Sequence, residues 1–256
     1  MENASKKSSL KPKLQKARAK VASTLHGHPA KNLKIIAVTG ATGKDIVAHF
    51  LHKILLSGNN RATLILSPDH SPLTAMNLHS YLSKSLKSGA DYVVIETPAS
   101  IIKNHVFHDL PIHMAILTDL PATAPDQPSS HDETTLFNAA PDLIVLNRDD
   151  PSFDHLSTSA AKTITSYGRH KDAATRINRS KLYKKGTEAS IAYGTELLKV
   201  ATFATGESAI HYLAAAVAVA KLLNISSDTI VDGLADYEPA VAPPAATNTS
   251  SDQSAK

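Results

Sequence analysis

Ile35-Ile36-Ala37-Val38-Thr39-Gly40-Ala41-Thr42-Gly43-Lys44-Asp45-Ile46 joins an apolar run to a glycine-bounded loop and then to an amphipathic stretch. Those three patterns specify a buried strand, a turn and a helix. Gly40 and Gly43 let backbone amides turn toward an anion, and Lys44 supplies a point charge for a β- or γ-phosphate. The position after the lysine ordinarily carries a Ser or Thr hydroxyl for a magnesium ion; here it is Asp45. The stretch predicts a P-loop-type phosphate loop with one altered residue.

Outward from the loop, strand and helix alternate. Ile46, Val47, Phe50, Leu51, Ile54 and Leu55 mark one face of a helix that Gly58 ends. Ala62–Leu66 reads as a second strand. Ser71 is the expected cap and Pro72 the first residue of the next helix, with Leu73, Met76, Leu82 and Leu86 as its apolar stripe and Gly89 as its stop. Tyr92–Ile95, Met114–Leu117, Leu143–Leu146 and Thr163–Ser166 are further short apolar strands. Antiparallel strands are expected between Tyr183 and Phe203, then helices at Glu207–Leu223 and Ser227–Leu234. This βα alternation predicts an α/β fold, a doubly wound, mainly parallel sheet.

Composition sets the frame. A hydrophobic share of 42% with 20% charged residues is that of a globular chain, and 256 residues suffice for a sizeable core. Without cysteine there is no disulfide, thiolate metal site or Cys nucleophile, which fits a cytoplasmic protein. No apolar run reaches spanning length, so no membrane partner is expected. Lys6, Lys7, Lys11, Lys13, Lys16, Arg18 and Lys20 face only Glu2 within residues 1–20. Leu14, Ala17, Val21 and Leu25 recur there at helical spacing, so the segment is expected to dock that face and show its lysines to water. The lack of interleaved aromatics argues against a nucleic-acid partner. The expected organisation is a basic leader with a helix over 1–26, a nucleotide-binding domain over 27–238 and a disordered tail over 239–256.

Ligands of open α/β sheets lie at the carboxyl ends of the strands. The residues there are the loop after Val38, Glu96, Thr118-Asp119, and Asn147 with Asp149-Asp150. Any one of them could merely cap a helix; together beside a phosphate cradle they point to a nucleotide and metal cleft. The thirteen histidines include the pairs His49/His52 and His105/His108, which lack a second ligand pair at structural-zinc spacing and read as helix-face residues.

These residues also carry a family resemblance. Gly27 through Gly40 resembles the entry to the central ATPase domain of Mur ligases, nearest the UDP-N-acetylmuramyl-tripeptide synthetases, whose loop reads TGTNGKTT. Val93–Ser100 resembles the family strand ending in Glu-x-Ser-Ser, and Ile116–Leu120 its Thr-Asn-Leu strand end. Leu136-Phe137 and Leu146–Pro151 resemble its Leu-Phe and Asn-x-Asp-Asp-Pro elements. The resemblance implies ATP and Mg2+ as cofactors and ligation of an acid to an amino acid through an acyl phosphate. It also implies that Gly40, Ala41, Thr42, Gly43, Lys44 and Asp45 hold the triphosphate, that Glu96 holds magnesium, and that Asn147 approaches adenine.

Departures from the family fall on functional positions. Asp45 replaces the magnesium-binding hydroxyl; a carboxylate about 5 Å from a phosphate charge costs roughly 3 kcal/mol at an effective dielectric near 20 unless a cation lies between them. Asp45 is therefore either a metal ligand alongside Glu96 or an acid that complements the helix dipole. Thr123-Ala124-Pro125-Asp126 stands where the family has Asp-His-Leu-Asp, and Glu133 where it has a carbamoylated lysine. Ala209 and Tyr212 replace two asparagines, and the family's Gly-Arg is absent from Glu238–Val241. Family members build their active site between three domains, and no second or third domain is recognisable around Gly27–Leu234. The expectation is an ATP-binding central domain impaired in ligation when alone. The alternative is a pseudoenzyme that serves as an interaction or regulatory scaffold for a complete Mur ligase or another cell-wall enzyme.

Overall fold

The apolar run before the loop forms β1 (Lys34–Thr39), buried at every position after Lys34. The computed structural model describes residues 2–67, 73–108, 110–119, 136, 142–157 and 163–238. Within them β2 (Ala62–Ile65), β3 (Tyr92–Glu96), β4 (Met114–Leu117), β5 (Leu143–Asn147), β6 (Thr163–Gly168), β7 (Thr175–Tyr183), β8 (Gly186–Tyr193) and β9 (Glu196–Thr202) join β1 in one sheet. Its order is β2-β3-β1-β4-β5-β6-β7-β8-β9, parallel from β2 to β7 and antiparallel from β7 to β9. The chain leaves β1 toward one edge and β4 toward the other, so the crevice of the doubly wound sheet opens between the ends of β1 and β4.

Helices α1 (Glu2–Leu25), α2 (Lys44–Ser57), α3 (Ala75–Lys87), α4 (Ala99–Lys103), α5 (Phe153–Ser157), α6 (Glu207–Leu222) and α7 (Ser227–Ala235) complete the elements. Alternation along β1 feeds two cores. Ile36 and Val38 pack with α2, α6 and α7 on one face, while Ile35 and Ala37 pack with residues of α3 and α4 on the other. α6 is buried almost all round, and its run of alanines lets it lie close against the sheet. No described helix is long and apolar enough to cross a membrane.

The strand and helix expectations hold closely, with four local corrections. The face by which α1 docks carries Ala19, Ala22 and Ser23, whose small side chains permit close approach to the body. Leu14, Val21 and Leu25 are instead 54%, 53% and 69% exposed. On α3 the buried positions are Leu78, His79, Leu82 and Ser85, and Met76 is exposed. That helix begins at Ala75, capped by the Thr74 hydroxyl, which accepts from Asn77 N at 3.2 Å; Ser71 and Pro72 lie outside the described residues. Finally, the antiparallel pairing starts within Thr175–Tyr183 rather than at Tyr183. The polar run Arg176–Lys181 shows no apolar alternation because most of β7 is solvent-facing.

Candidate functional site

The loop after β1 adopts the backbone its glycines permit. Gly40 has φ 140° and Gly43 φ 67°, a region L side chains rarely enter. Gly43 caps α2, whose first amides have no partner inside the helix and sit at the positive end of its dipole. Register places Glu96 beside Val38 and Leu117 beside Thr39, so the ends of β3 and β4 flank the loop. The sequence-predicted residues Gly40 to Asp45, Glu96 and Thr118-Asp119 thus come together at one edge of the sheet.

The crevice already contains an internal anion. Asp119 accepts from Thr42 N at 2.9 Å and from the Thr42 hydroxyl at 2.6 Å, while its carbonyl oxygen accepts from Ala41 N at 3.2 Å. Thr118 donates its hydroxyl to the Thr42 carbonyl at 2.6 Å. From the opposite side, the Tyr212 hydroxyl donates to Thr42 Oγ1 at 3.0 Å. Its ring lies so close to Gly43 that a Cβ built there would fall 1.9 Å from the ring. The sequence singled out Asp119 as a strand-end acid and Tyr212 as a departure on a distant helix. Their meeting over Thr42 becomes visible only in three dimensions. Beneath them Tyr167, which carried no sequence signal, is wholly buried and donates to the Thr118 carbonyl at 2.9 Å. Burial, and then the nearby Asp119 charge, push its phenol pKa well up, so it stays a donor.

Lys44 and Glu96 form the charged part of the site. Lys44 Nζ is 3.6 Å from Glu96 Oε1, and Glu96 Oε2 accepts from Ser67 N at 3.1 Å. Glu96 is 9% exposed, so this pair sits at the base of the cleft. Asp45 points to solvent from the first turn of α2, and its carbonyl engages His49 Nδ1 at 2.9 Å. Among the described residues no group of three or more His, Asp or Glu side chains is arranged to hold a metal. Magnesium ordinarily takes only one or two carboxylates and completes its shell with phosphate oxygens and water. Glu96 fits that demand, and Asp45 belongs to no such group of three among the described residues.

On the far side of the crevice, Asn147 turns its side-chain oxygen to Asp149 N at 3.0 Å. Asp149 ties β5, β6 and α6 together by accepting from Arg169 N at 2.6 Å, His170 N at 2.8 Å and His211 Nε2 at 3.0 Å. Burial alone would raise the Asp149 pKa, but the two amides and His211 hold it below the ordinary carboxylate value. Arg169, His170 and His211 were not predicted, since each is remote in sequence from Asp149. Ala124 and Glu133 lie outside the described residues, whereas Leu136 is buried in the core on the α3 side.

Comparison with known proteins agrees with this geometry. Residues 38–220 match the profile of the Mur ligase middle domain. The chain is 22% identical over 250 residues to the UDP-N-acetylmuramoyl-L-alanyl-D-glutamate--2,6-diaminopimelate ligase of Syntrophomonas wolfei, covering 89% of this chain and 50% of the relative. It is 25% identical over 231 residues to UDP-N-acetylmuramyl-tripeptide synthetase 2 of Oceanobacillus iheyensis, covering 81% of this chain and 47% of that protein. The chain thus spans about half the length of the curated relatives it matches. A solved UDP-N-acetylmuramoyl-L-alanyl-D-glutamate--2,6-diaminopimelate ligase superposes with a TM-score of 0.77 at 19% identity, covering 89% of this chain and 52% of that one. Mycobacterium tuberculosis folylpolyglutamate synthase complexed with ADP superposes with a TM-score of 0.69 at 13% identity, covering 88% and 62%. From fold, loop and profile together, this chain belongs to the Mur ligase middle domain family.

Proposed function

We propose that residues 27–238 bind a nucleotide polyphosphate at the Gly40–Lys44 loop, with ATP as the nucleotide. The observation that carries this reading is Lys44, poised 3.6 Å from Glu96 at the mouth of a glycine loop and the N-terminus of α2. In this reading the loop amides and Lys44 hold the phosphates, Glu96 serves magnesium, and Asn147 meets the base. Magnesium, when bound, would neutralise phosphate charge. Asp45 then complements the α2 dipole from solvent. Ligation by this chain alone is impaired, because Asp119 and Tyr212 engage Thr42 where phosphate oxygens would need the loop's donors.

Calorimetric titration of the chain with ATP, with and without magnesium, tests the reading. Binding in the micromolar to millimolar range, a ligand-linked rise in melting temperature and loss of both in Lys44→Ala are expected. No heat and no melting shift at millimolar ATP would refute nucleotide binding. That result would favour the second reading, a pseudoenzyme scaffold acting on a complete ligase, for which the internally occupied loop is the supporting observation.

A further inference from the structure

The outward face of β7–β9 is unlike the rest of the sheet. α6 packs on β7 and β8, and α7 on β9, all from one side. On that inner face lie Thr175, Ile177, Ala189, Ile191, Leu198 and Val200, all buried. The opposite face meets no described helix and carries cations. A β-bulge between Ile177 and Arg179 decides which side chains it shows. Without the bulge, with Asn178 taking an ordinary place in the alternation from Arg176, Ser180 and Leu182 would turn outward instead. With it, Arg179 pairs with outward Ser190 and Lys181 with outward Glu188, so Arg176, Arg179 and Lys181 share one face.

Across the strands the face is a trough. Arg179 and Lys199 flank Ser190 from either side, two strand spacings or about 10 Å apart. Ala201 continues the small-residue floor, exposed Leu197 borders it on β9, and the depression has a volume of about 890 Å3. Glu188 is the one outward acid in the trough, and it already accepts from the Tyr183 hydroxyl at 2.9 Å. Arg179 and Lys199 have no side-chain partner among the described residues.

We infer that this trough is a docking surface for an extended, acidic peptide segment of a partner protein. Arg179 and Lys181 are outward neighbours on one strand and so stand about 7 Å apart, the spacing of alternate side chains in an extended peptide. Carboxylates at every second position would therefore meet successive cations, while the small floor admits the peptide backbone. A single-stranded nucleic acid needs aromatic faces on which to stack. The trough offers only Tyr183 at its end, and that ring lies 4.8 Å from Lys181 Nζ.

The test is fluorescence anisotropy of the whole chain with a labelled peptide alternating glutamate and threonine. The same peptide with glutamine in place of glutamate, and a labelled oligouridine, are run beside it. Saturable binding of the glutamate peptide that weakens with salt is expected. Arg179→Glu/Lys199→Glu should weaken it about tenfold or more, the summed effect of lost and reversed surface pairs. Lys84→Glu/Lys87→Glu on exposed α3 positions removes the same net charge elsewhere and should change it less than twofold. Equal losses in the two variants would mean net charge alone and overturn the docking surface. So would absence of saturable binding, while tighter binding of oligouridine through Arg179 and Lys199 would overturn the partner class.

Discussion

The two ends of this sheet handle charge in opposite ways. At the β1–β4 crevice the two strand-end acids have internal counterparts: Asp119 takes the Thr42 amide and hydroxyl, and Glu96 takes Lys44 and Ser67 N. At the β7–β9 end Arg179 and Lys199 are exposed and have no side-chain partner among the described residues. A site whose donors are satisfied internally is stable when empty but must break those bonds to bind. A face of unpaired cations contributes little to folding and is open to any anion. The phosphate-loop crevice is thus self-satisfied, and the free charge lies elsewhere on the sheet.

The largest expected effect comes from testing how tightly the crevice is closed. Gly43→Ala places a Cβ at positive φ and against the Tyr212 ring. Strain and overpacking together should cost about 3 kcal/mol of stability, read by urea denaturation. In a Tyr212→Ala background the overpacking part should vanish, leaving the φ penalty of about 1 kcal/mol. Additive losses would mean that the ring does not press on the loop.

Next comes the charge of the internal anion. Asp119→Asn keeps an oxygen to accept from Thr42 but removes the carboxylate that would repel phosphate. ATP affinity measured by calorimetry should rise about tenfold, less than the full Coulomb cost because the crevice is open to solvent. Unchanged or weaker binding would show that Asp119 is not what opposes the nucleotide.

The sequence disclosed the parallel strands and the antiparallel strands after Tyr183 but concealed β7, for a physical reason. Strands buried on both faces, such as Ile35–Val38 and Met114–Leu117, must be apolar throughout, and glycine and lysine punctuate the loop that joins the first of them to α2. β7 is exposed over most of its length, so nothing in Arg176–Lys181 need alternate. Its bulge depends on pairing with β8, which no local pattern encodes. The same limit applies within the site. Gly40, Gly43 and Lys44 are contiguous and legible, whereas Tyr212 meets Thr42 across a separation of 170 residues. On α1 the misreading came from size: leucines marked a stripe, but the alanines made the contact.

A third region shows a buried polar side chain with no hydrogen-bond partner among the described residues. His79 is fully buried against the Pro29–Asn32 turn and α1, and neither ring nitrogen has a hydrogen-bond partner among the described residues. Burial, then the charges of His26 and His28, lower its pKa. The unfolded chain therefore takes up a proton more readily than the folded one. Stability from this site is complete above the unfolded value of about 6.5 and is lost as pH falls toward the folded value. His79→Leu should raise stability by about 1 kcal/mol near neutrality, by removing an unmet hydrogen-bonding group, and flatten the melting-temperature slope below about pH 6.5. An unchanged slope would place the acid sensitivity in another histidine, such as His52, whose pKa burial also lowers.

The smallest effect is expected where the comparison is most exposed to failure. If the outward cations of β7 and β9 serve binding rather than folding, Arg179→Ser/Lys199→Ser should move urea stability by no more than about 0.5 kcal/mol in either direction. Neither side chain is buried, and neither has a side-chain partner to lose among the described residues. Relief of repulsion across Ser190 is worth only tenths of a kcal/mol and should shrink further in high salt. A loss above about 1 kcal/mol would show that these residues hold the antiparallel strands together. The contrast between a closed crevice and an open face would then fail, because both ends of the sheet would be using charge for structure.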